Sequence, residues 1–355
     1  MSPVKTASSP VKTASSPAAG RILDALASAQ PSALSGERLS EILEVSRAQI
    51  WKHVEALRKR GYEIEGMPGG GYRLAGRPDR LYPEEIQPRL ETRWLGHELH
   101  YLDSTDSTNR VAFELAREGA PHGAAVIAEA QTSGRGRLGR SFFSPAHLNL
   151  YTSIVLRPDL TTADAPTLIP ATAVAVAEAV AESIGDPGSV AIKWPNDVLL
   201  GGLKTSGILM EMSTEATRVG FAILGIGVNL NVEREEFPEE FRELATSLRS
   251  HSGLPVDRIA FTARLYGILE QVIETHRHSG FQALRPRYEA RFAMQGKRVR
   301  VLELDGAELR GIAGGIADDG ALEVTRDDGR QVRVVAGDVT LAGQRPPPSK
   351  EESIS

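Results

Sequence analysis

The segment Gly134-Arg-Gly-Arg-Leu-Gly-Arg140 puts three glycines and three arginines into seven residues. It lies between two apolar runs that read as buried strands, Ala124-Ala-Val-Ile-Ala-Glu-Ala130 and Leu148-Asn-Leu-Tyr-Thr-Ser-Ile-Val-Leu156. Such a pattern is rare. Glycines allow tight turns and close approach of the backbone to a ligand. Arginines offer planar forks for phosphate or carboxylate. Gly-Arg patches that bind RNA usually sit in tails, whereas this one is held between strands. An anionic ligand is the better reading.

Other constraints narrow the class. The 355 residues carry 41 Lys+Arg against 46 Asp+Glu and no Cys. Zero Cys excludes disulfides, thiolate metal sites and a cysteine nucleophile. The length suits two or three domains. No run approaches the roughly 20 apolar residues of a membrane span, and residues 1–20 lack a signal-like apolar stretch, so the expectation is a cytoplasmic protein with no membrane contact. Charge is uneven: residues 1–80 hold 12 Lys+Arg against 8 Asp+Glu, although the whole chain is at −5. A small basic module joined to a larger acidic one follows, with the joint at Gly76-Arg-Pro-Asp-Arg-Leu-Tyr-Pro83.

The ends read as tails. Ser2-Pro-Val-Lys-Thr-Ala-Ser8 is copied as Ser9-Pro-Val-Lys-Thr-Ala-Ser15, a repeat with too little to bury, and residues 1–19 are expected to be disordered. Residues 344–355 are Pro-rich and polar and read likewise. Between 20 and 78, Ile22, Leu23 and Leu26 make one helical stripe, and Leu39, Ile42 and Leu43 a second. Ser46 caps a third helix in which Ile50, Val54 and Leu57 face inward. Two short strands around Met67-Pro-Gly-Gly-Gly71 complete a winged helix-turn-helix. The third helix would offer Ser46, Arg47, Gln49 and Lys52 to a DNA major groove.

Farther on, Asp106-Ser-Thr-Asn109 precedes a helix and, alone, reads as a cap. Pro195 interrupts a strand at Lys193-Trp-Pro-Asn-Asp197. Gly201-Gly202 turns into Lys204-Thr-Ser-Gly-Ile-Leu209, where Lys204 alone would be a solvated hairpin residue. Gly225-Ile-Gly-Val-Asn229 closes the sheet. His276 and His278 read as surface residues near a helix end. Residues 296–341 alternate between short strands and Asp-Gly turns, the pattern of a small β-barrel.

In this order, the Gly134–Arg140, Lys193–Asp197, Lys204–Leu209 and Gly225–Asn229 segments resemble the catalytic domain of biotin protein ligases. The module before them resembles the DNA-binding domain of the bifunctional subgroup, which also represses the biotin operon. The resemblance covers about residues 20 to 343. It implies an α+β chain: a winged helix-turn-helix (20–78), a mixed-sheet α/β ligase domain like class II aminoacyl-tRNA synthetases (84–293), and an SH3-like β-barrel (294–343). It implies an ATP-dependent ligase that forms biotinyl-5′-AMP and passes biotin to a lysine of a biotin carboxyl carrier protein domain. Lys204, Arg137, Arg135 and Asp197 would be catalytic. Ser107, Thr108, Asn109, Gln131, Gly134, Arg135, Arg137, Lys204, Gly207 and Gly225 would surround biotin. Arg137, Arg140, Phe142, Asn196, Asp197 and Asn229 would meet ATP, with Phe142 where the family commonly has Trp against adenine, and Asp197 would meet Mg2+. Partners would be the carrier, biotin operator DNA and a second copy in a ligand-promoted homodimer. Two alternatives stay open on the residues: a ligand-sensing regulator without ligase activity, and a lipoate-type ligase.

Overall fold

A computed structural model describes residues 17–341 apart from Gly69, Leu304 and Asp305. The expected tails at 1–16 and 344–355, and Asp305 of one expected turn, lie outside the described residues. The first expected tail is too long by three residues, because a helix already begins at Pro17.

That helix, α1 (Pro17–Ser28), buries Ile22, Leu23 and Leu26. After β1 (Leu34–Ser35), helix α2 (Gly36–Leu43) is capped by the Ser35 side chain and stopped by Glu44 at φ 56°. Helix α3 (Arg47–Lys59) starts with a reciprocal capping box between Ser46 and Gln49. Strands β2 (Glu63–Met67) and β3 (Gly71–Gly76) form the wing, and β1 adds a third strand that the sequence did not disclose. The core of this module is its own, but Tyr82 and Tyr101 of the next unit pack into it.

After the joint come α4 (Pro83–Ile86), β4 (Leu99–Leu102), α5 (Thr108–Arg117), β5 (Ala125–Ala128) and β6 (Leu150–Leu156). Helix α6 (Leu168–Ile184) leads to β7 (Val190–Lys193), β8 (Asp197–Leu200), β9 (Leu203–Glu215) and β10 (Arg218–Val228). The sheet order is β4-β5-β6-β10-β9-β8-β7, with only β4 and β5 parallel. Alternation assigns the faces: Val126 and Ala128 join α5, while Ala125 and Ile127 join the larger core with α6. Helices α7 (Glu239–Arg242), α8 (Leu248–Ser252), α9 (Arg258–Ser279) and α10 (Arg285–Glu289) follow, with α9 against α6.

Three expectations change here. Ala165–Ile184 is, by length and composition, long and apolar enough to cross a membrane; its residues are instead mostly buried, as a core helix between sheet and α9. Gly225–Val228 does not close the sheet but runs through its middle, because β10 pairs with both β6 and β9. His276 is buried, its ring hydrogen-bonded to the Thr167 hydroxyl at 2.7 Å, and burial lowers its pKa; only His278 is exposed.

Strands β11 (Arg298–Leu302), β12 (Glu308–Ile316), β13 (Leu322–Arg326), β14 (Gln331–Val334) and β15 (Asp338–Leu341) make an antiparallel sheet of order β14-β13-β12-β11-β15. Its edge strands β14 and β15 do not pair with each other, so hydrogen bonds leave the expected barrel open.

Candidate active site

The middle of the β9–β10 ladder sets Gly207 opposite Gly227 and Gly225 opposite Leu209. Missing side chains there leave a floor. Above it, loop 129–149 between β5 and β6, the start of α5, the Lys193–Asp197 turn and β15 enclose a cavity of about 820 Å³. Every residue expected at the biotin and nucleotide positions lines this one cavity. A Cβ at Gly225 would overlap the Asn109 carboxamide oxygen, and one at Gly227 would stand 2.7 Å from the Phe142 ring. One at Gly134 would lie 2.6 Å from Ser144 Oγ. Each glycine is therefore required by close approach.

The Gly–Arg segment is ordered as a small hairpin. Phe142 N–H donates to the Gly134 carbonyl at 2.9 Å and Gly136 N–H to Arg140 O at 2.8 Å, with Leu138 at φ 55° on the tip. Its arginines point to different partners. Arg135 comes within 3.9 Å of the Glu211 carboxylate. Arg137 donates to Gly337 O at 3.1 Å and Asn196 Oδ1 at 3.4 Å; burial lowers its pKa, offset in part by Asp338 and Asp197. Arg140 grips both carboxylate oxygens of Asp338, so the C-terminal sheet holds one end of the loop.

A polar network sets the α5 side. Gln131 Oε1 accepts from Thr108 N–H at 2.9 Å and from its hydroxyl at 3.2 Å. Ser153 Oγ donates to Asn109 Oδ1 at 2.7 Å, and Asn109 Nδ2 donates to Glu211 Oε2 at 2.8 Å. Ser107 occupies the N-cap position of α5 without a side-chain cap bond. The capping role read from Asp106–Asn109 is thus not played by this serine, whose N–H is instead taken by Asp106 at 2.6 Å.

Lys204 is no solvated hairpin residue. Its ammonium lies 2.6 Å from Asp197 Oδ1, an ion pair without the alignment of a hydrogen bond. Lys193, named in the sequence only as part of a motif, also faces the cavity; burial and the cations Lys204 and Arg140 pull its pKa down, while Asp197 and Asp338 raise it. Phe237, Phe241 and Asp338 complete the lining, and none was read from sequence. Phe142 lies over Gly207 and Gly227, edge-on to Tyr151 at 6.4 Å. The carboxamides of Asn196 and Asn229 are already engaged, the former with Ile208 O, the latter with Asn149 and Thr246 O. Among the described residues, no three His, Asp or Glu side chains group as a metal site.

On α3, Ser46 and Gln49 occupy each other, and Arg47 pairs with Glu37 at 3.0 Å. Lys52 is exposed, as is Trp51 beside it at 55%.

Comparison with known proteins covers all three parts of the chain. The biotin/lipoate A/B protein ligase family model matches residues 101–229, a helix-turn-helix domain model 20–73, and the biotin protein ligase C-terminal domain model 295–341. The bifunctional ligase/repressor BirA of Bacillus spizizenii is 36% identical over 320 residues, covering 90% of this chain and 97% of that one. Its Escherichia coli counterpart is 32% identical over 293 residues, 82% of this chain and 88% of that one. A biotin protein ligase from Aquifex aeolicus, solved in complex with biotin and ATP, superposes with a TM-score of 0.59 at 28% identity, over 69% of this chain and 98% of that one.

Proposed function

Since this chain belongs to the biotin protein ligase family, matching its bifunctional ligase/repressor members over nearly the whole length, we propose that the cavity joins biotin to ATP and hands it to a carrier lysine. The observation that carries the residue assignment is the convergence of the Gly–Arg loop, the Trp194–Asp197 turn and Lys204 on one glycine-floored cavity.

In the first half-reaction the biotin carboxylate attacks the α-phosphate, forming biotinyl-5′-AMP and releasing pyrophosphate. Two anions must meet in line, so the site has to neutralise charge and fix geometry. Lys204, Arg135 and Arg137 supply positive charge around the point of attack. Arg140 is the natural partner of the departing phosphates, and to reach them it exchanges Asp338. Asn109, Thr108 and Gln131 form a pre-bonded polar wall for the biotin ring system. Gly207 and Gly225 let the ligand lie against the sheet. Phe142, Phe237 and Phe241 supply apolar surface for adenine. Asp197, whose Oδ1 is buried without a hydrogen bond, and Asp338 are carboxylates of the lining that would hold a magnesium ion, which would supply positive charge against the phosphates.

In the second half-reaction the nucleophile is the carrier's lysine, which must lose a proton from a pKa near 10.4; we assign its acceptance to Asp197 or to the substrate phosphate. The helix-turn-helix module is the repressor half. We assign α3 to the major groove of operator DNA, and two copies of the chain, brought together by the adenylate, to two half-sites. The reading is tested by incubating the protein with biotin, Mg·ATP and a biotin carboxyl carrier domain. The carrier mass should rise by one biotin, and only when ATP is present. No mass change with a folded protein would refute it.

A further inference from the structure

The chemistry leaves one group of charges without a task. Arg258, at the start of α9, and Glu129, just after β5, are both 0% exposed and pair at 2.9 Å. Neither lines the cavity. A buried ion pair is costly to desolvate and is weak as a stability device. This one is spent on the segment joining the two modules. Arg258 donates to the Asp79 carboxylate at 3.0 Å and to its carbonyl at 2.9 Å, while Glu129 Oε1 accepts from Leu81 N–H at 2.8 Å.

The same pair holds both stems of the Gly–Arg loop. Glu129 stands two residues before Gln131, and its Oε2 lies 3.1 Å from His147 Nδ1. Arg258 also donates to Asn149 O at 3.2 Å, at the foot of β6. Just past the linker, α4 is tied back to the DNA module by Arg60 at the end of α3, which pairs with Glu84 at 2.5 Å, and to the linker by Arg77, which pairs with Glu85 at 2.7 Å. The path from α3 to the loop that lines the cavity is therefore continuous, short and charged.

We propose that Asp79, Glu129 and Arg258 form a clasp that ties the linker to both stems of the Gly–Arg loop, and so couples ligand in the cavity to the placement of the DNA module. This rests on the ligase/repressor reading above. The three residues are positioning residues, since none lines the cavity. By reciprocity, a ligand that orders the loop tightens the clasp, and a clasp that is closed favours the ligand.

Removing Glu129 or Arg258 outright strands a buried charge, so the test uses Asp79→Ala, which cuts the linker side from a largely exposed carboxylate. Glu129→Gln, which keeps an acceptor for Leu81 N–H and leaves the Asp79 carboxylate to balance Arg258, serves as the second variant. In the full-length protein, operator affinity is measured with and without biotin plus Mg·ATP. The ratio of the two affinities should shrink by at least about fivefold in Asp79→Ala, while adenylate formation at saturating substrates stays within about twofold of wild type. Amide hydrogen exchange is followed in parallel without any ligand or DNA. Both loop stems, near 129–131 and 147–149, should exchange faster in both variants. An unchanged affinity ratio together with unchanged stem exchange overturns the clasp. Should the wild-type protein show no ligand effect on DNA, the repressor reading fails by itself. Stem exchange then decides the clasp: faster exchange supports the tether, and unchanged exchange refutes it.

Discussion

Replacing Lys204 by Met keeps the apolar stem and removes the ammonium that stands 2.6 Å from Asp197. In the complex assigned here, that ammonium offsets the charge of two anions brought into line. Two unit charges about 4 Å apart at an effective dielectric near 20 interact by about 4 kcal/mol. The Lys204 side chain is 38% exposed, so solvent screens part of this, and about 2 kcal/mol is a fair share. That corresponds to a loss of roughly 30-fold in kcat/KM for adenylate formation. The Asp197 carboxylate, left without its counter-charge beside an anionic substrate, acts in the same direction. Biotin-dependent exchange of pyrophosphate into ATP reads the step directly, and thermal unfolding serves as the control for folding. A folded Lys204→Met protein with exchange within about threefold of wild type would refute the electrostatic role.

Three more outcomes follow from the same structure. Gly225→Ala should push Asn109 off its bonds to Ser153 and Glu211; at about 1 kcal/mol each, denaturant melts should show about 2 kcal/mol less stability, and calorimetry weaker biotin binding. Lys52→Ala should weaken binding to every duplex sequence and lower the salt slope of DNA affinity by about one, read from titrations at several salt concentrations. Burial lowers the pKa of His276 below 6.5, so the unfolded chain binds a proton that the folded chain refuses. Stability is therefore full above 6.5 and lost as pH falls from there toward the folded value; His276→Gln should flatten that loss in denaturant melts at pH 7.5 and 5.5. His122, half-buried and with its pKa lowered by desolvation, keeps part of the slope in the variant.

The parts legible in sequence were those with local signatures. Helix stripes such as Ile50, Val54 and Leu57 announce a buried face, and Pro195 announces the break between β7 and β8. The Gly–Arg loop stood out because three glycines alternating with three arginines is a rare pattern. The contacts that organise the site have no such signature. Arg140 meets Asp338 across 198 residues, and Arg258 meets Glu129 across 129. Neither spacing is periodic, and each residue alone looks like a surface charge. Ser107 shows the opposite failure: its residue type suits a cap, but Asp106 takes its N–H and the hydroxyl caps nothing. His276 read as exposed because α9 looked like a helix with a polar end, whereas α9 packs along α6 and Thr167 provides a partner for the ring.

The most direct test of the central claim is biotin-dependent pyrophosphate exchange by the full-length protein, run in parallel with lipoate in place of biotin. The account predicts exchange that requires biotin and Mg·ATP and is absent with lipoate. Exchange driven by lipoate, or none with either acid from a folded protein, would contradict it.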